Sequence, residues 1–227
     1  MNAADDKTIV REYFNSTGFD RWRRIYGDGE VNKVQLDIRN GHQQTVETVL
    51  SWLRCENLAG VSICDAGCGV GSLSIPLAQA GTKVYASDIS EKMVGEAHDR
   101  AEAVLGTTGN PTFLVQDLET LSGRYHTVIC LDVLIHYPQD KAAEMISHLS
   151  SMAESRLIMS FAPKTLALSL LKKIGSFFPG PSKATRAYLH TEADVVRILE
   201  SQGFSVQRQA MTQTRFYFSR ILEATRT

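Results

Sequence analysis

Apolar residues recur along the chain with two different periods, and the change comes near residue 60. Up to residue 58 they recur at steps of three and four, as in DKTIVREYFN and EVNKVQLDIRNGHQQTVETVLSWLRC, which is typical of amphipathic helices. The stretch between these two segments, STGFDRWRRIYGDG, is interrupted by glycine, so we expect a link rich in aromatic residues and arginine. We therefore predict a helical amino-terminal arm over residues 1–58.

From residue 61 onward, short apolar strands alternate with helix-like segments. The strands VSICD, KVYAS, TFLVQ, HTVICL and RLIMSF enclose predicted helices at about residues 72–80, 90–105 and 139–153, with Ser90 as the N-cap of the second. Strands that are apolar throughout and alternate with helices are typical of a parallel sheet covered on both faces. A helix over TEADVVRILESQG and two strands, FSVQRQAM and RFYFSRILEAT, joined by the link TQT, predict an antiparallel end to the sheet.

These patterns predict an α/β fold with a doubly wound, mostly parallel, Rossmann-like sheet of seven strands and an antiparallel carboxy-terminal strand. Residues 59–227 should form the core domain. Residues 162–190 interrupt the alternation, and we expect them to form a helical flap inserted in the core. From Ser155 to Thr191 there are six basic residues and no acidic one, beside apolar residues at helical spacing. Such a flap suits a large, flat, apolar anion or a membrane surface, and a helix packed on the sheet edge is the alternative.

Composition narrows the classes of function. The chain has 227 residues, is 43% hydrophobic and carries a net charge of -1, so it can bury a core and is not expected to be a dedicated nucleic-acid binder. The four cysteines form no CxxC pair and have no histidine at zinc-like spacing, so we interpret them as reduced, buried thiols and predict no metal site. Neither a signal sequence nor an apolar run of 18 residues occurs, and we expect a cytoplasmic protein, at most peripheral to a membrane.

The stretch DAGCGVG, residues 65–71, lies between the first predicted strand and its helix. Gly67 and Gly69 allow a tight turn and a close approach of the backbone to a ligand, and the following helix offers free N–H groups. The next strand ends in Asp88, where a carboxylate can accept hydrogen bonds from both hydroxyls of a ribose. The combination predicts a nucleoside-type cofactor, and a simple helix cap near Ser90 is the alternative for Asp88.

The order Asp-x-Gly-x-Gly resembles the first motif of class I S-adenosylmethionine methyltransferases, and it differs from the Gly-x-Gly-x-x-Gly fingerprint of dinucleotide-binding proteins. The resemblance implies S-adenosylmethionine as the cofactor, with the loop around its methionine end and the fourth strand facing its methyl group. The resemblance further implies that the acid after the third strand, Asp117, meets the amino group of the adenine, and a turn residue is the alternative for Asp117. The matching positions are Asp65, Gly67 and Gly69 in the loop, Asp88 and Ile89 for the nucleoside, Asp117 and Leu118 after the third strand, and Leu131 and Asp132 at the fourth.

Four longer segments are more restrictive than the loop. FDRWRRIYG, EVNKVQLDIRNGHQQTVE, DVLIHYPQDK and RLIMSFAPKT resemble segments of the magnesium-protoporphyrin IX methyltransferases of chlorophyll biosynthesis, and the resemblance extends from about Ile9 to Ala224. It implies esterification of one propionate of magnesium-protoporphyrin IX, a link to the magnesium chelatase that supplies this substrate, and work near a photosynthetic membrane. The alternatives are a methyltransferase for a quinone or another apolar molecule, and a protein that holds porphyrin without turnover.

Two side chains are candidates to orient the substrate carboxylate: His136, after the fourth strand, and Tyr26, in the arm. A helix cap is the alternative for His136, and an aromatic helix packed into the core is the alternative for the arm. Arg39 and His42, one turn apart on the helix before the first strand, are predicted to approach the methionine carboxylate of the cofactor. Solvent-facing helix residues are the alternative for this pair. No general base is predicted, because a carboxylic acid with a pKa of about 4 to 5 is already ionised at neutral pH.

Overall fold

The computed structural model describes residues 3–106, 109–164 and 187–227, with the side chains from residue 7 onward. Its helices are α1 (Ala3–Asn15), α2 (Phe19–Ile25), α3 (Lys33–Leu53), α4 (Ser74–Gln79), α5 (Glu91–Leu105), α6 (Gln139–Met152) and α7 (Glu192–Ser201). Its strands are β1 (Ser62–Ala66), β2 (Lys83–Asp88), β3 (Thr112–Val115), β4 (Tyr125–Cys130), β5 (Ala153–Phe161), β6 (Phe204–Gln213) and β7 (Phe218–Arg226).

The seven strands form one sheet in the order β3-β2-β1-β4-β5-β7-β6. Strands β1 to β5 pair in parallel, and β7 runs antiparallel to both β5 and β6. The predicted α/β class, the seven-stranded sheet and its antiparallel end are therefore confirmed. The strand order reverses between β1 and β4, and ligands of such sheets collect outside the carboxyl ends of the strands at that switch point.

Two buried clusters hold the helices against the two faces of the sheet. One cluster joins α6 and α7 to β4 and β5, and the other joins α3 and α4 to β1, β2 and the opposite side of β4. Val49, Leu50 and Leu53 of α3 are at most 4% exposed within this second cluster. The last helix of the predicted arm, α3, thus packs onto the sheet, and this packing fixes the side chains of α3 relative to the carboxyl edge of the sheet. The boundary between the arm and the core domain at residue 58 stays a prediction.

Helix starts follow the local signals in the sequence. The Ser90 hydroxyl accepts a hydrogen bond from the backbone N–H of Met93, and the Thr191 hydroxyl accepts one from the N–H of Asp194. At the start of α3, Asn32 and Gln35 form a reciprocal capping box. These caps fix where α3 and α5 begin, and therefore where their first turns lie beside the sheet edge.

Some expectations require correction. Cys55 is exposed, because it lies beyond the last turn of α3, whereas Cys64, Cys68 and Cys130 are buried thiols whose pKa is raised by burial. The expected aromatic link contains the helix α2. Most of the predicted flap, residues 165–186, lies outside the described residues; at its two ends, Pro163 and His190 form a parallel bridge. Within the described part of the chain, no helix combines the length and apolar character needed to cross a bilayer.

Candidate active site

A cavity of about 1170 Å³ opens at the carboxyl ends of β1, β2 and β4. This volume includes the open solvent at the mouth of the cavity, so the enclosed space is smaller. Its walls come from the glycine loop, the ends of β2 and β4, and the helices of the amino-terminal arm. The structure brings ten predicted residues together there: Tyr26, His42, Asp65, Gly67, Gly69, Asp88, Ile89, Leu118, Leu131 and His136.

The glycine loop turns from β1 into α4 with three residues in the left-handed region, Gly67, Gly69 and Gly71. Gly67 has φ = +90° and Gly69 has φ = +54°. A Cβ atom on Gly67 would lie 2.2 Å from Cγ2 of Val133, whereas a Cβ atom on Gly69 would meet nothing within 4 Å. The backbone N–H groups of Gly67 and Cys68 both donate to the carbonyl of Ser87, which fixes the loop against β2. Gly67 is thus required by packing, and Gly69 leaves open space for a ligand.

Asp88 ends β2 at the cavity wall. Its two carboxylate oxygens accept hydrogen bonds from the backbone N–H groups of Gly69 (3.0 Å) and Ser90 (2.9 Å). Each oxygen retains an acceptor position, so the carboxylate can still bind two hydroxyls. Burial raises the pKa of Asp88, although hydrogen bonds from the backbone N–H groups of Ser90, Gly69 and Ile89 oppose this effect. Because Ser90 itself caps α5, the helix-cap alternative does not account for Asp88.

Asp65, at the end of β1, is 3% exposed and accepts a hydrogen bond from the Ser74 hydroxyl. Burial raises its pKa to about 6, the Ser74 hydrogen bond opposes the rise, and the negative charge of Asp88 adds to it. The buried carboxyl group of Asp65 and the partly buried one of Asp88 therefore share this part of the cavity at a cost that a positively charged ligand would reduce.

Asp117 follows β3 and does not line the cavity. Its carboxylate accepts from the backbone N–H of Glu119 and pairs with Lys7 Nζ of α1 at 2.6 Å. The same ammonium lies 2.8 Å from the carboxylate of Glu119, and these bonds raise the pKa of Lys7. Leu118, the next residue, does line the cavity. The predicted contact of Asp117 with an adenine amino group stays a prediction, while its observed partner connects the arm to the sheet.

Asp132, the second residue beyond β4, has φ = +59°, a conformation that is uncommon outside glycine. Its carboxylate accepts hydrogen bonds from His42 Nδ1 (3.0 Å), the Tyr217 hydroxyl (2.8 Å) and the Ser160 hydroxyl (3.1 Å). Burial alone would raise the pKa of Asp132, but these donors, His42 first, lower it below its usual value. Since a carboxylate only accepts, Nδ1 of His42 carries the proton, and Nε2 is the nitrogen left for a ligand.

Sequence reasoning noted Asp132 only as a motif position and did not propose Tyr217 at all. The Tyr217 hydroxyl also lies 3.0 Å from the Thr45 hydroxyl of α3, so it connects the β6–β7 turn to the arm. Nothing local marks Tyr217, because its partner lies 85 residues away in the chain. The only signal in the sequence for this part of the site was the carboxylate of Asp132, just after a core strand.

His136 and Tyr26 are both neutral groups on the cavity wall. Burial lowers the pKa of His136 to about 4, and its Nδ1 is buried with no hydrogen-bond partner among the described residues. Its ring meets that of Phe14 edge to face at 5.8 Å. Burial raises the pKa of Tyr26 well above its usual value, and its ring lies 4.4 Å from that of His42. His136 does not cap α6, whose N-cap is Pro138.

Arg39 does not line this cavity. Its guanidinium donates to the backbone carbonyls of Arg24 (2.6 Å), Gly29 (2.8 Å) and Ile25 (2.9 Å). It is 9% exposed, so the interpretation of Arg39 as a solvent-facing helix residue is wrong. Its predicted contact with a cofactor carboxylate stays a prediction, and its observed bonds point to a role in holding the arm.

Comparisons with known proteins agree with this geometry. Residues 130–226 match the family model described as magnesium-protoporphyrin IX methyltransferase C-terminus, and residues 63–155 match a methyltransferase domain. The chain is 69% identical to the magnesium-protoporphyrin O-methyltransferase of a Synechocystis strain, over 99% of this chain and 98% of that one. It is 61% identical to the chloroplastic magnesium protoporphyrin IX methyltransferase of Arabidopsis thaliana, over 96% and 71%.

A solved structure is similar over nearly the whole chain. The crystal structure of magnesium protoporphyrin IX methyltransferase from Synechocystis with bound SAH superposes with a TM-score of 0.91 at 68% identity. The match covers 97% of this chain and 100% of that one. A likeness of this extent includes the glycine loop, the arm helices and the antiparallel strand pair.

Gly67 and Gly69 of the loop give a matched pair of variants. An alanine at positive φ costs about 1–2 kcal/mol at either position, and only Gly67→Ala adds the clash with Val133. We expect the free energy of unfolding to fall by about 2–5 kcal/mol for Gly67→Ala and by about 1–2 kcal/mol for Gly69→Ala, measured by urea denaturation. Gly69→Ala should chiefly weaken ligand binding, because its methyl group enters the cavity. Equal losses of stability would contradict this division.

Proposed function

The chain belongs to the magnesium-protoporphyrin IX methyltransferase family, and we propose that it transfers the methyl group of S-adenosylmethionine to a propionate of magnesium-protoporphyrin IX, giving the monomethyl ester. The observation that carries this function is 69% identity over 99% of the chain with an enzyme of that name. The family also excludes the interpretation as a porphyrin carrier without turnover, and it disfavours a quinone substrate.

The described residues fit the cofactor. S-adenosylmethionine supplies, when bound, a methyl group on a positively charged sulfur. The free acceptor positions of Asp88 suit the two ribose hydroxyls, and Ile89 and Leu118 offer apolar surface for the adenine. The open space at Gly69 and the buried carboxyl of Asp65 suit the charged methionine end. Leu131 closes the cavity at the end of β4, where the methyl group is expected.

Positioning, rather than proton transfer, is the task of the residues around the substrate. The propionate is ionised at neutral pH, with a pKa of about 4 to 5, so no proton has to be removed before it attacks. Neutral His136 and neutral Tyr26 can each donate one hydrogen bond to a carboxylate oxygen without placing a full positive charge beside it. Two neutral donors therefore orient the carboxylate and preserve its nucleophilicity. Alignment of this kind can lower a barrier by about 7–11 kcal/mol.

His42 and Asp132 complete this wall. Asp132 carries a negative charge close to the place where an anionic substrate must react. Its hydrogen bonds from His42, Tyr217 and Ser160 offset that charge, which reduces the repulsion between two carboxylates. As an imidazolium paired with Asp132, His42 donates from both ring nitrogens, so Nε2 can bind a carboxylate in the cavity; the cofactor's methionine carboxylate is the one that we assign to it.

We further propose a peripheral contact with the photosynthetic membrane and a contact with a magnesium chelatase subunit. The segment from Ser155 to Thr191 has basic residues and no acidic one, which supports the membrane contact. A large apolar macrocycle is poorly soluble in water, which favours its direct transfer from the chelatase to this enzyme and so supports the second contact.

Flotation with anionic and with neutral lipid vesicles tests the membrane contact. We expect binding to anionic vesicles that weakens as salt screens the lysines and arginines. Binding that is the same for neutral vesicles, or that does not change with salt, would contradict the membrane contact.

Co-purification with each magnesium chelatase subunit tests the contact with the chelatase, and complete separation at low salt would count against it.

Methyl transfer with three acceptors tests the function itself. With labelled S-adenosylmethionine, we expect turnover of magnesium-protoporphyrin IX and at least about tenfold lower kcat/KM for a quinol, since one well-placed polar contact is worth at least that factor. Metal-free protoporphyrin serves as the third acceptor and measures what the magnesium contributes. Preferred methylation of the quinol would show that the substrate class is wrong.

Two variants show whether the assay reports on the described site. Tyr26→Phe and His136→Ala should each lower kcat by about 100-fold, because each removes one hydrogen-bond donor that positions the carboxylate. The affinity for S-adenosylmethionine, measured by calorimetry, should change little. If both variants kept full kcat, the substrate carboxylate would have to bind elsewhere in the cavity.

A further inference from the structure

The carboxyl end of α2 is held by two arginines, and the first of them is Arg39 of α3. Its guanidinium donates three hydrogen bonds, to the carbonyls of Ile25, Arg24 and Gly29, at 2.9, 2.6 and 2.8 Å. These bonds reach over the turn that carries Tyr26. Arg39 is nearly buried, so its positive charge acts on the carbonyls of this turn rather than on solvent.

The second arginine is Arg100 of α5, which reaches the same turn from another part of the core. Its guanidinium donates to the carbonyls of Tyr26 (2.7 Å) and Arg23 (3.1 Å). Its Nε donates to Glu96, one turn earlier on α5, at 2.8 Å, and this ion pair fixes the direction of the side chain. The helix α3 of the arm and the helix α5 of the core domain therefore bind consecutive carbonyls around Tyr26.

Helix physics explains why two cations gather there. The last carbonyls of a helix have no partner within the helix and carry partial negative charge, which a guanidinium can both bond and neutralise. The helix α2 has seven residues, too few to be stable by itself. Its position is consequently set by its tertiary contacts. A guanidinium offers several N–H donors in a fixed fork, so it can join two or three carbonyls, whereas an ammonium is a single compact charge.

Tyr26 is the residue that these bonds fix most tightly. The carbonyl before it, of Ile25, is bound by Arg39, and its own carbonyl is bound by Arg100. Its ring lies between Trp22, at 5.3 Å, and His42, at 4.4 Å, and it lines the active-site cavity. The backbone on both sides of its Cα atom is thus tied to α3 and α5.

We propose that Arg39 and Arg100 are positioning residues for methyl transfer, which hold the backbone of Tyr26 so that its phenol meets the substrate carboxylate. This inference rests on the role given to Tyr26 in the proposed function. It assigns Arg39 a task different from the cofactor contact suggested by the sequence. It also gives a task to Arg100, which no motif marks.

Lysine substitutions test the proposal, because they keep the charge and remove the fork. We expect Arg39→Lys and Arg100→Lys each to lower kcat by about 10- to 100-fold, as misplacement of a catalytic group by about 1 Å does. The affinity for S-adenosylmethionine should stay within about twofold, since neither residue touches the cofactor under this proposal. Arg54→Lys, an exposed arginine just after α3 that pairs with Glu47 at 3.4 Å, is the matched control and should leave kcat unchanged.

A double-mutant cycle with Tyr26→Phe separates positioning from a general structural effect. Once the phenol hydroxyl is gone, Arg100→Lys should cost less than about threefold further in kcat, because residues that act as one unit are not additive. Full, multiplied losses in the Tyr26→Phe background would overturn the proposal. So would an Arg39→Lys variant that binds the cofactor about tenfold more weakly and has normal kcat at saturation, the result expected of a cofactor contact.

Amide hydrogen exchange separates failure of this proposal from failure of the proposed function. It needs no substrate, and it should show faster exchange at residues 23–29 in both lysine variants than in Arg54→Lys. Unchanged exchange overturns the anchoring, whatever the substrate proves to be. Faster exchange in an enzyme that does not methylate magnesium-protoporphyrin IX would instead mean that the anchoring is real and that the proposed function is wrong.

Discussion

One partly buried carboxylate, that of Asp132, connects the carboxyl edge of the sheet to the helical arm. The residue adopts φ = +59°, a backbone conformation that is costly for residues other than glycine. Such a conformation persists only where the surrounding structure holds it in place. Here the surroundings are hydrogen bonds from α3, from β5 and from the turn before β7. Because these elements come from three distant parts of the chain, the carboxylate fixes their relative positions. The wall that holds His42, His136 and Tyr26 depends on it.

The charges of the cavity match the reaction of a cation with an anion. Burial raises the pKa of both Asp65 and Asp88, so a positively charged ligand beside them lowers the cost of their ionised forms. Asp132 differs, since its donors lower its pKa and offset its charge. Neutral His136 and Tyr26 add directed hydrogen bonds without a further charge. The cavity can therefore bind a sulfonium cofactor and still admit a carboxylate that must remain reactive.

The sequence predicts the sheet, its antiparallel end and the glycine loop, because strand periodicity, helix caps and left-handed glycines are local properties. It also marks Asp88, which simply ends a strand. It does not predict Tyr217 beside Asp132, because that pairing depends on how the β6–β7 turn folds back over α3. Arg39 shows the same limit: spacing placed it on the right helix, but only tertiary structure shows that carbonyls of α2 occupy its donors. The roles of the individual site residues stay proposals.

The most direct test of this account is the kcat of Asp132→Asn, measured with both ligands saturating and with folding checked by thermal unfolding. Asparagine has the same shape, so the fold should survive, but it lacks the charge and places an N–H₂ group among donors. We expect a folded protein whose kcat is lower by about 100-fold or more, because the surrounding groups lose their alignment. A folded variant with the kcat of the unmodified enzyme would contradict it.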